Sequence, residues 1–292
     1  MNRDEPLVSV LMTAYNREQY IAEAIESVIN STYQNWELII VDDGSKDNTV
    51  AIAKTYADKD GRIKFYWNET NLGDYPNRNK AAGYAKGEYI VIIDSDDWMF
   101  KDALEIWILM MEKHGANFGM LNQGYFKETT LLSPNNTIQE HFFKQPILMN
   151  GPGATIIKND YFKKINGFPE KYGPANDMYY NLKAASQTEM LFIPIPLGDY
   201  RRHDGQEINN RYSYLYNNYR YLRDALIELD LPLSCGQVKY LQQKNKRRFF
   251  SNCIRYLIES KSITKTIRAV YLSGFTFRDV CTAIFNKKYK LR

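Results

Sequence analysis

Long apolar runs are missing from this 292-residue chain. No stretch approaches the ~18 uninterrupted apolar residues of a membrane-spanning helix, so no transmembrane segment is predicted. The opening "MNRDEPLVSV" lacks an apolar signal-peptide core and runs almost at once into strand character, which predicts a cytoplasmic chain. Paired cysteines are missing too. Cys235, Cys253 and Cys281 are an odd number, widely spaced and without a C-x-x-C, which argues against a disulfide framework or a thiolate metal site and leaves them as small packing residues. There is no internal repeat and no low-complexity segment. An excess of positive charge is absent from most of the chain. The formal net charge is +4, but it divides into about −8 over residues 1–200 and about +12 beyond. That asymmetry predicts a tail facing something acidic, a membrane surface or a phosphate-bearing substrate. Nucleic acid is not expected, since nothing beyond the tail charge supports it.

What is present is a periodic α/β pattern. "LVSVLMTAYN" opens with an apolar run that breaks into polar residues, a buried strand followed by a loop. Between Glu18 and Asn30, Ile21, Ala24, Ile25, Val28 and Ile29 share one helical face. "WELIIVDDGS" is a second buried strand ending in Asp42 and Asp43, and Asp47 is placed to cap a helix over 49–57. "IKFYW" is a third strand, "PNRNKAAGYAKG" a helix closed by Gly87, and "EYIVII" a fourth strand. The alternation predicts a parallel sheet with helices on both faces. Ligands of such sheets bind outside the carboxyl ends of the strands, where both acidic clusters fall. A helix follows "DDW"; residues 122–150 read as loop with short strand pieces. "GATIIK" resumes strand character, "NDYFKKINGF" and "PANDMYYNLKAASQ" are short helices, and "MLFIPIPLGDYRRH" is an irregular or edge strand. From about Gln206 the chain reads as helical, dense in Tyr and Lys/Arg. Its Tyr and Leu residues at helical spacing predict core or helix–helix contacts.

The strand "EYIVII" ends in Asp94, Asp96 and Asp97, three carboxylates within four residues. Carboxylates this close repel one another, and partial burial aggravates the repulsion. Either the loop is solvated and the acids cap the next helix, or a divalent cation belongs there. Mg²⁺ and Mn²⁺ bind hard oxygen ligands, often one or two carboxylates plus substrate phosphates. "VDDGS" is either an Asx turn around Gly44 or an acceptor for a base or ribose. Tyr15 is placed to stack on a base. Arg78 either offsets phosphate charge or is a surface helix arginine.

Taken together and in order, "VSVLMTAYN", "LIIVDDGSKDNT", "NLGDYPNRNKAAGYAKGEYIVIIDSDDW" and the later "GF…ND…YRRH" resemble the family 2 glycosyltransferases, the large inverting group with the GT-A fold. The resemblance is strong over about residues 6–100, fair to about 204 and absent beyond. It implies a GT-A, Rossmann-like, mostly parallel sheet flanked by helices, followed by a helical C-terminal extension. It divides the chain into a transferase domain over 1–204, with a nucleotide-binding half (1–100) and an acceptor-binding half (101–204), and a basic helical extension over 205–292. Thr13, Tyr15 and Asp43 match positions that hold the nucleotide base, commonly uracil. Arg78 matches a position near base and diphosphate, and Asp94 the D-x-D carboxylate that touches the ribose. Asp96 matches the carboxylate that ligates Mn²⁺ or Mg²⁺ on the diphosphate, with Asp97 in support. His203 matches a position that approaches the metal or diphosphate. Asp177 matches the carboxylate of the candidate general base. The family's usual Glu-Asp pair is here Asn176–Asp177, which puts any role of the missing Glu in question.

The implied partners are a nucleotide-sugar donor, a UDP-sugar by expectation, and a glycan or lipid-linked acceptor. The basic stretches "KNKRRFF" and "FNKKYKLR", with aromatic neighbours, are either a solvated face or a peripheral contact at the cytoplasmic face of a membrane, where a lipid-linked acceptor would lie. Three other readings remain. A haloacid-dehalogenase-like phosphatase would use "DSDDW" as its nucleophile motif, but chain order is wrong for it and Trp98 stands at the expected Thr/Val position. A sugar-nucleotide pyrophosphorylase would want a Gly-rich loop where "MTAYNREQY" has no glycine. A non-catalytic nucleotide-sugar or glycan-binding protein is compatible with the altered Asn176–Asp177 pair. A processive polysaccharide synthase is not expected, because the sequence contains no Q-x-x-R-W.

Overall fold

The computed structural model describes residues 5–203 and 210–285. Strand β1 (Val8–Ala14) is buried at every position but Thr13, as an apolar run covered on both faces requires. Helix α1 (Ile21–Ile29) lays Ile21, Ala24, Ile25 and Val28 against the sheet. β2 (Trp36–Asp42), α2 (Thr49–Ala57), β3 (Ile63–Trp67), α3 (Asp74–Tyr84) and β4 (Tyr89–Ile92) continue the alternation. The strands lie in the order β3-β2-β1-β4, all parallel. Successive strands therefore run outward from β1 on one side, and the chain then crosses back to place β4 on the other. The crevice at this switch point opens over the carboxyl ends of β1 and β4, where the ligand site of an open α/β sheet is expected.

The second half adds β5 (Trp98–Met99), α4 (Ala103–His114), β6 (Phe118–Leu121), β7 (Thr130–Leu132), α5 (Pro134–Phe143), β8 (Thr155–Lys158), α6 (Asn159–Lys164), α7 (Asn176–Ala185), β9 (Met190–Ile193) and β10 (Gly198–Asp199). β8 pairs antiparallel with both β4 and β6, β9 joins β6 in parallel, and β7 closes the edge antiparallel to β9. The eight-stranded sheet is thus mixed, with its parallel half carrying the acidic strand ends. Side chains of α1, α2 and α4 cover one face of the sheet. Those of α3, α5, α6 and α7, together with the helix α8 (Arg211–Glu228), cover the other. Beyond them, α9 (Cys235–Ser260), α10 (Ile263–Ser273) and α11 (Phe277–Phe285) pack on α8 around Tyr219, Phe249, Ala269 and Phe275. Among the described residues no helix is long and apolar enough to cross a membrane.

Local structure differs from the sequence reading in three places. Gly87 does not close α3, which ends at Tyr84 with Ala85 extended. A Cβ on Gly87 would stand 2.6 Å from the Ser9 nitrogen and 2.7 Å from the Leu7 oxygen, so glycine is needed there for close backbone approach. Residues 122–150, expected as loop, contain α5. Its polar composition hides the periodicity, but Pro134 opens it, the Ser133 side chain accepts the Asn136 N–H at 3.3 Å, and Thr137 and Ile138 are buried. The "MLFIPIPLGDYRRH" strand stops at Ile193, before Pro194, and resumes only as the two-residue β10. β10 pairs antiparallel with β5, Gly198 opposite Met99 and Asp199 opposite Trp98, which carries Arg201 and His203 back to the acidic cluster.

Candidate active site

The loop after β1 is built around Asn16, whose left-handed φ of 53° turns the chain toward the loop after β2. Its N–H donates to the Ser45 Oγ at 2.8 Å, and its side-chain oxygen accepts the Lys46 N–H at 2.8 Å. Asp42 serves that second loop alone. Its Oδ1 accepts the N–H groups of Gly44 and Ser45 at 3.1 and 2.9 Å, an Asx turn completed by the positive φ of Gly44. Asp43 points elsewhere. It accepts from the Asn68 amide at 2.7 Å and from the Leu72 and Gly73 N–H groups, both at 2.9 Å. The two acids of "VDDGS" therefore do different work, and Asp43 fixes the entry to α3. Thr13 lies at the end of β1, where its carbonyl accepts the Ser95 hydroxyl at 2.7 Å. Tyr15 is exposed beside it.

Asp94 and Asp96 pair with separate cations, and Asp97 meets a backbone N–H. Asp94 pairs with Arg78 Nη2 at 2.7 Å, and Arg78 Nε donates to Asp74 Oδ1 at 2.8 Å. Burial pushes the Asp94 carboxyl up even so, outweighing Arg78. Arg78 itself is buried, and its Nη1 has no hydrogen-bond partner among the described residues. Asp96 Oδ2 meets two groups, Arg17 Nε and His203 Nε2, each at 2.9 Å. The His203 ring stacks on Tyr20 with centroids 4.9 Å apart. Asp97 Oδ1 accepts the Arg201 N–H at 3.0 Å. Burial, then the charge of Asp94, pushes Asp97 up to about 7. Arg201 also donates from Nε to the Asp96 carbonyl at 3.0 Å and lies over Tyr20 and Trp98. A cavity of about 240 Å³ lined by Asn16, Arg17, Tyr20 and His203 opens next to these groups.

Asp177 sits in the first turn of α7, after the tight turn over Gly173–Ala175. A helix N-terminus favours a carboxylate, and Asp177 Oδ1 accepts the Met178 N–H at 2.7 Å. Burial nevertheless wins and pushes the Asp177 carboxyl up to about 7; the Met178 N–H and Arg78 oppose it without cancelling it. The Arg78 charge also opposes the rise of Asp94 and Asp97, so the β4 acids and Asp177 share one buried cation as an electrostatic neighbour. Asn176 is buried, and its Oδ1 accepts the Tyr172 N–H at 2.9 Å. The residue that departs from the usual Glu thus shapes the turn that presents Asp177.

The Asp96 carboxylate is a hard oxygen donor of the kind Mn²⁺ and Mg²⁺ take, whereas the His203 imidazole beside it is a softer donor, and Asp96 Oδ2 is already engaged by Arg17 and His203 at 2.9 Å each. Among the described residues no three His, Cys, Asp or Glu side chains form a ready-made cage. A metal here would need ligands from the substrate. One contributor carries no mark in the linear pattern: Arg17 is one of many arginines outside any motif. Arg201 lies in the "YRRH" motif, but only the β5–β10 pairing selects it over the adjacent Arg202. The stretch "KNKRRFF" lies inside α9, with Asn245 and Phe249 buried and Lys246 paired to Asp279 at 2.7 Å, which leaves Lys244 and Arg248 as its exposed cations. Residues 286–292, most of "FNKKYKLR", lie outside the described residues.

A mostly parallel nucleotide-type sheet flanked by helices, with acids at its switch point, is the GT-A architecture. The family model described as glycosyl transferase family 2 matches residues 9–166, more than half of the chain, and the chain belongs to that family. It is 44% identical over 115 residues to the Escherichia coli UDP-Glc:alpha-D-GlcNAc-diphosphoundecaprenol beta-1,3-glucosyltransferase WfgD, an alignment covering 39% of this chain and 45% of WfgD. The chain spans less than half the length of the first curated relatives it matches. Its fold superposes on S. aureus TarS 1-349 in complex with UDP-GlcNAc with a TM-score of 0.74 at 22% identity, covering 94% of this chain and 81% of that one. The mannosyltransferase PcManGT from Pyrobaculum calidifontis, in complex with GDP-Man and Mn²⁺, superposes with a TM-score of 0.61 at 12% identity, covering 97% and 88%.

Proposed function

We propose that this chain is an inverting glycosyltransferase that moves a sugar from a UDP-sugar to a hydroxyl of a glycan or lipid-linked glycan, with Asp177 as general base and Asp96 as metal ligand. The observation that carries the reading is a half-buried Asp177 whose carboxyl is pushed up to about 7, with the β4 acids and Asp177 both feeling the charge of Arg78. Thr13, Tyr15 and Asp43 hold the base. Asp43 uses three of its roughly four acceptor sites internally, leaving one for a base N–H. Asp94 takes the ribose, and the unpartnered Nη1 of Arg78 is a buried cationic donor for a phosphate oxygen. Asp96, His203 and, in support, Asp97 would hold Mn²⁺ or Mg²⁺. When bound, that ion supplies Lewis-acid neutralisation of the charge that builds on the leaving diphosphate. Asp177 takes the acceptor hydroxyl's proton as the oxygen attacks the anomeric carbon, and a single displacement inverts that centre. Family membership removes the phosphatase and pyrophosphorylase readings.

WfgD and TarS favour a uridine nucleotide, and WfgD's name a lipid-diphosphate-linked acceptor. PcManGT makes GDP the alternative. Thermal shifts against nucleotide sugars with Mn²⁺ test the choice: stabilisation by UDP-sugars and not by GDP-sugars is expected, and no shift with any of them removes the reading. Donor hydrolysis or transfer in the same samples separates an enzyme from a binding protein.

Two further results are expected. Protonated Asp177 cannot accept a proton, so the transfer rate should rise with pH and reach half its limit near 7. A rate–pH profile in which Asp177→Asn retains that limb would remove the assignment. Arg78→Met leaves Asp94 and Asp74 without their cation. Breaking a fully buried pair costs about 3–5 kcal/mol; because Asp94 is 25% exposed and Asp74 50%, the lower end is expected in urea unfolding.

A further inference from the structure

Helix α10 is packed the wrong way round for its composition. Its buried residues are Ala269 and Ser273, with Thr266 and Val270 half-buried beside them. Ile263, Ile267 and Tyr271, spaced four apart along one line of the helix, are 65%, 64% and 82% exposed. Phe277, just past the turn at Gly274, is 82% exposed. An apolar line of this length, turned to solvent, is a surface that expects a cover.

The charges along it are mainly positive. From Glu259 to Asp279 the chain carries Lys261, Lys265, Arg268 and Arg278, with carboxylates only at the two ends, Glu259 facing Arg211 at 3.4 Å and Asp279 paired with Lys246 at 2.7 Å. All four cations are exposed. Self-association through this face is disfavoured on those grounds, because an isologous contact would set the cations against their own copies. An anionic phospholipid surface complements both features. Apolar and aromatic side chains enter the headgroup–acyl boundary while Lys and Arg meet the phosphates.

We propose that the outward line of α10, with Phe277, seats the protein on an anionic bilayer. This deepens the lipid-linked-acceptor reading, on which it rests for its purpose alone. It also moves the membrane contact away from the Lys244–Phe250 stretch, whose Asn245 and Phe249 are core residues.

The test is co-sedimentation of the full chain with vesicles of phosphatidylcholine alone or mixed with phosphatidylglycerol, at two salt concentrations. Wild type should prefer the anionic vesicles and lose binding as salt rises. Ile267→Ser/Tyr271→Ser and, separately, Lys265→Glu/Arg268→Glu should each lower the partition coefficient at least tenfold. Circular dichroism should stay unchanged, because all four side chains are exposed. Equal partitioning of wild type and variants overturns the proposal, as does absence of wild-type binding. So does a micromolar dimer that the Ser variant dissociates, since a second copy then covers the face. UDP-sugar hydrolysis measured in the same preparations keeps the two readings apart. Hydrolysis without vesicle binding removes only the membrane proposal, and vesicle binding without hydrolysis removes only the transferase.

Discussion

Asp177→Asn is expected to lower kcat for sugar transfer by about 10²–10⁴-fold, the usual contribution of a positioned general base, while nucleotide-sugar affinity stays within about twofold. The substitution preserves shape, and an amide oxygen can still accept the Met178 N–H that Asp177 Oδ1 takes at 2.7 Å. What it removes is the capacity to take a proton at neutral pH. Because the wild-type carboxyl is held up near 7 by burial, the fold already tolerates its neutral form, and stability at pH 6 should not fall. The affinity should hold because Asp177 lies on α7, whereas the proposed donor contacts come from the ends of β1, β2 and β4 and from α3. Single-turnover kinetics and calorimetric titration of the nucleotide check the two halves separately. Full turnover by Asp177→Asn would sink the base assignment, and loss of nucleotide binding would place the residue on the donor instead.

Asp96→Asn is expected to fail earlier, at binding. The variant should lose metal-dependent stabilisation by UDP and, with it, transfer by about 10³-fold or more, in keeping with the several kcal/mol that a Lewis acid supplies. Asp96 Oδ2 is the point where His203 and Arg17 converge, so one charge change alters the proposed metal ligand and the environment of both neighbours. Asp97→Asn is the internal control. Asp97 stands only in support of the proposed ligand, and its contact is the Arg201 N–H, a bond an amide oxygen can keep. It should retain most metal-dependent nucleotide binding. If Asp97→Asn abolishes that binding and Asp96→Asn spares it, the ligand assignment is reversed.

The alternating first half was legible because each segment there obeys one rule. β1, β2 and β4 are apolar runs buried on both faces, and α1 repeats Ile21, Ile25 and Val28 at helical spacing. The acidic ends of β2 and β4 stood out for the converse reason, since charge at the end of a core strand needs an explanation. α5 was not legible, because its helix depends on a cap and on tertiary cover for Ile138 rather than on an apolar stripe. Gly87 was misjudged as a helix stop because its reason for being glycine is a neighbouring strand that sequence distance conceals.

At the site, residue types and local order identified Asp94, Asp96, Asp97 and Asp177 as the carboxylates to watch, since motifs preserve spacing along a strand or a turn. Which cation each acid meets is a different kind of fact. Arg17 meets Asp96 across 79 residues and His203 meets it across 107, the latter carried there by a two-residue ribbon that no period announces. The rise of Asp177 to about 7 likewise belongs to the folded chain, because desolvation comes from the atoms packed around a carboxyl and not from its neighbours in sequence. The outward line of α10 follows the same division. Its amphipathic pattern is written in the chain, but only packing on α8 and α9 decided that the small residues face inward and the apolar ones face solvent.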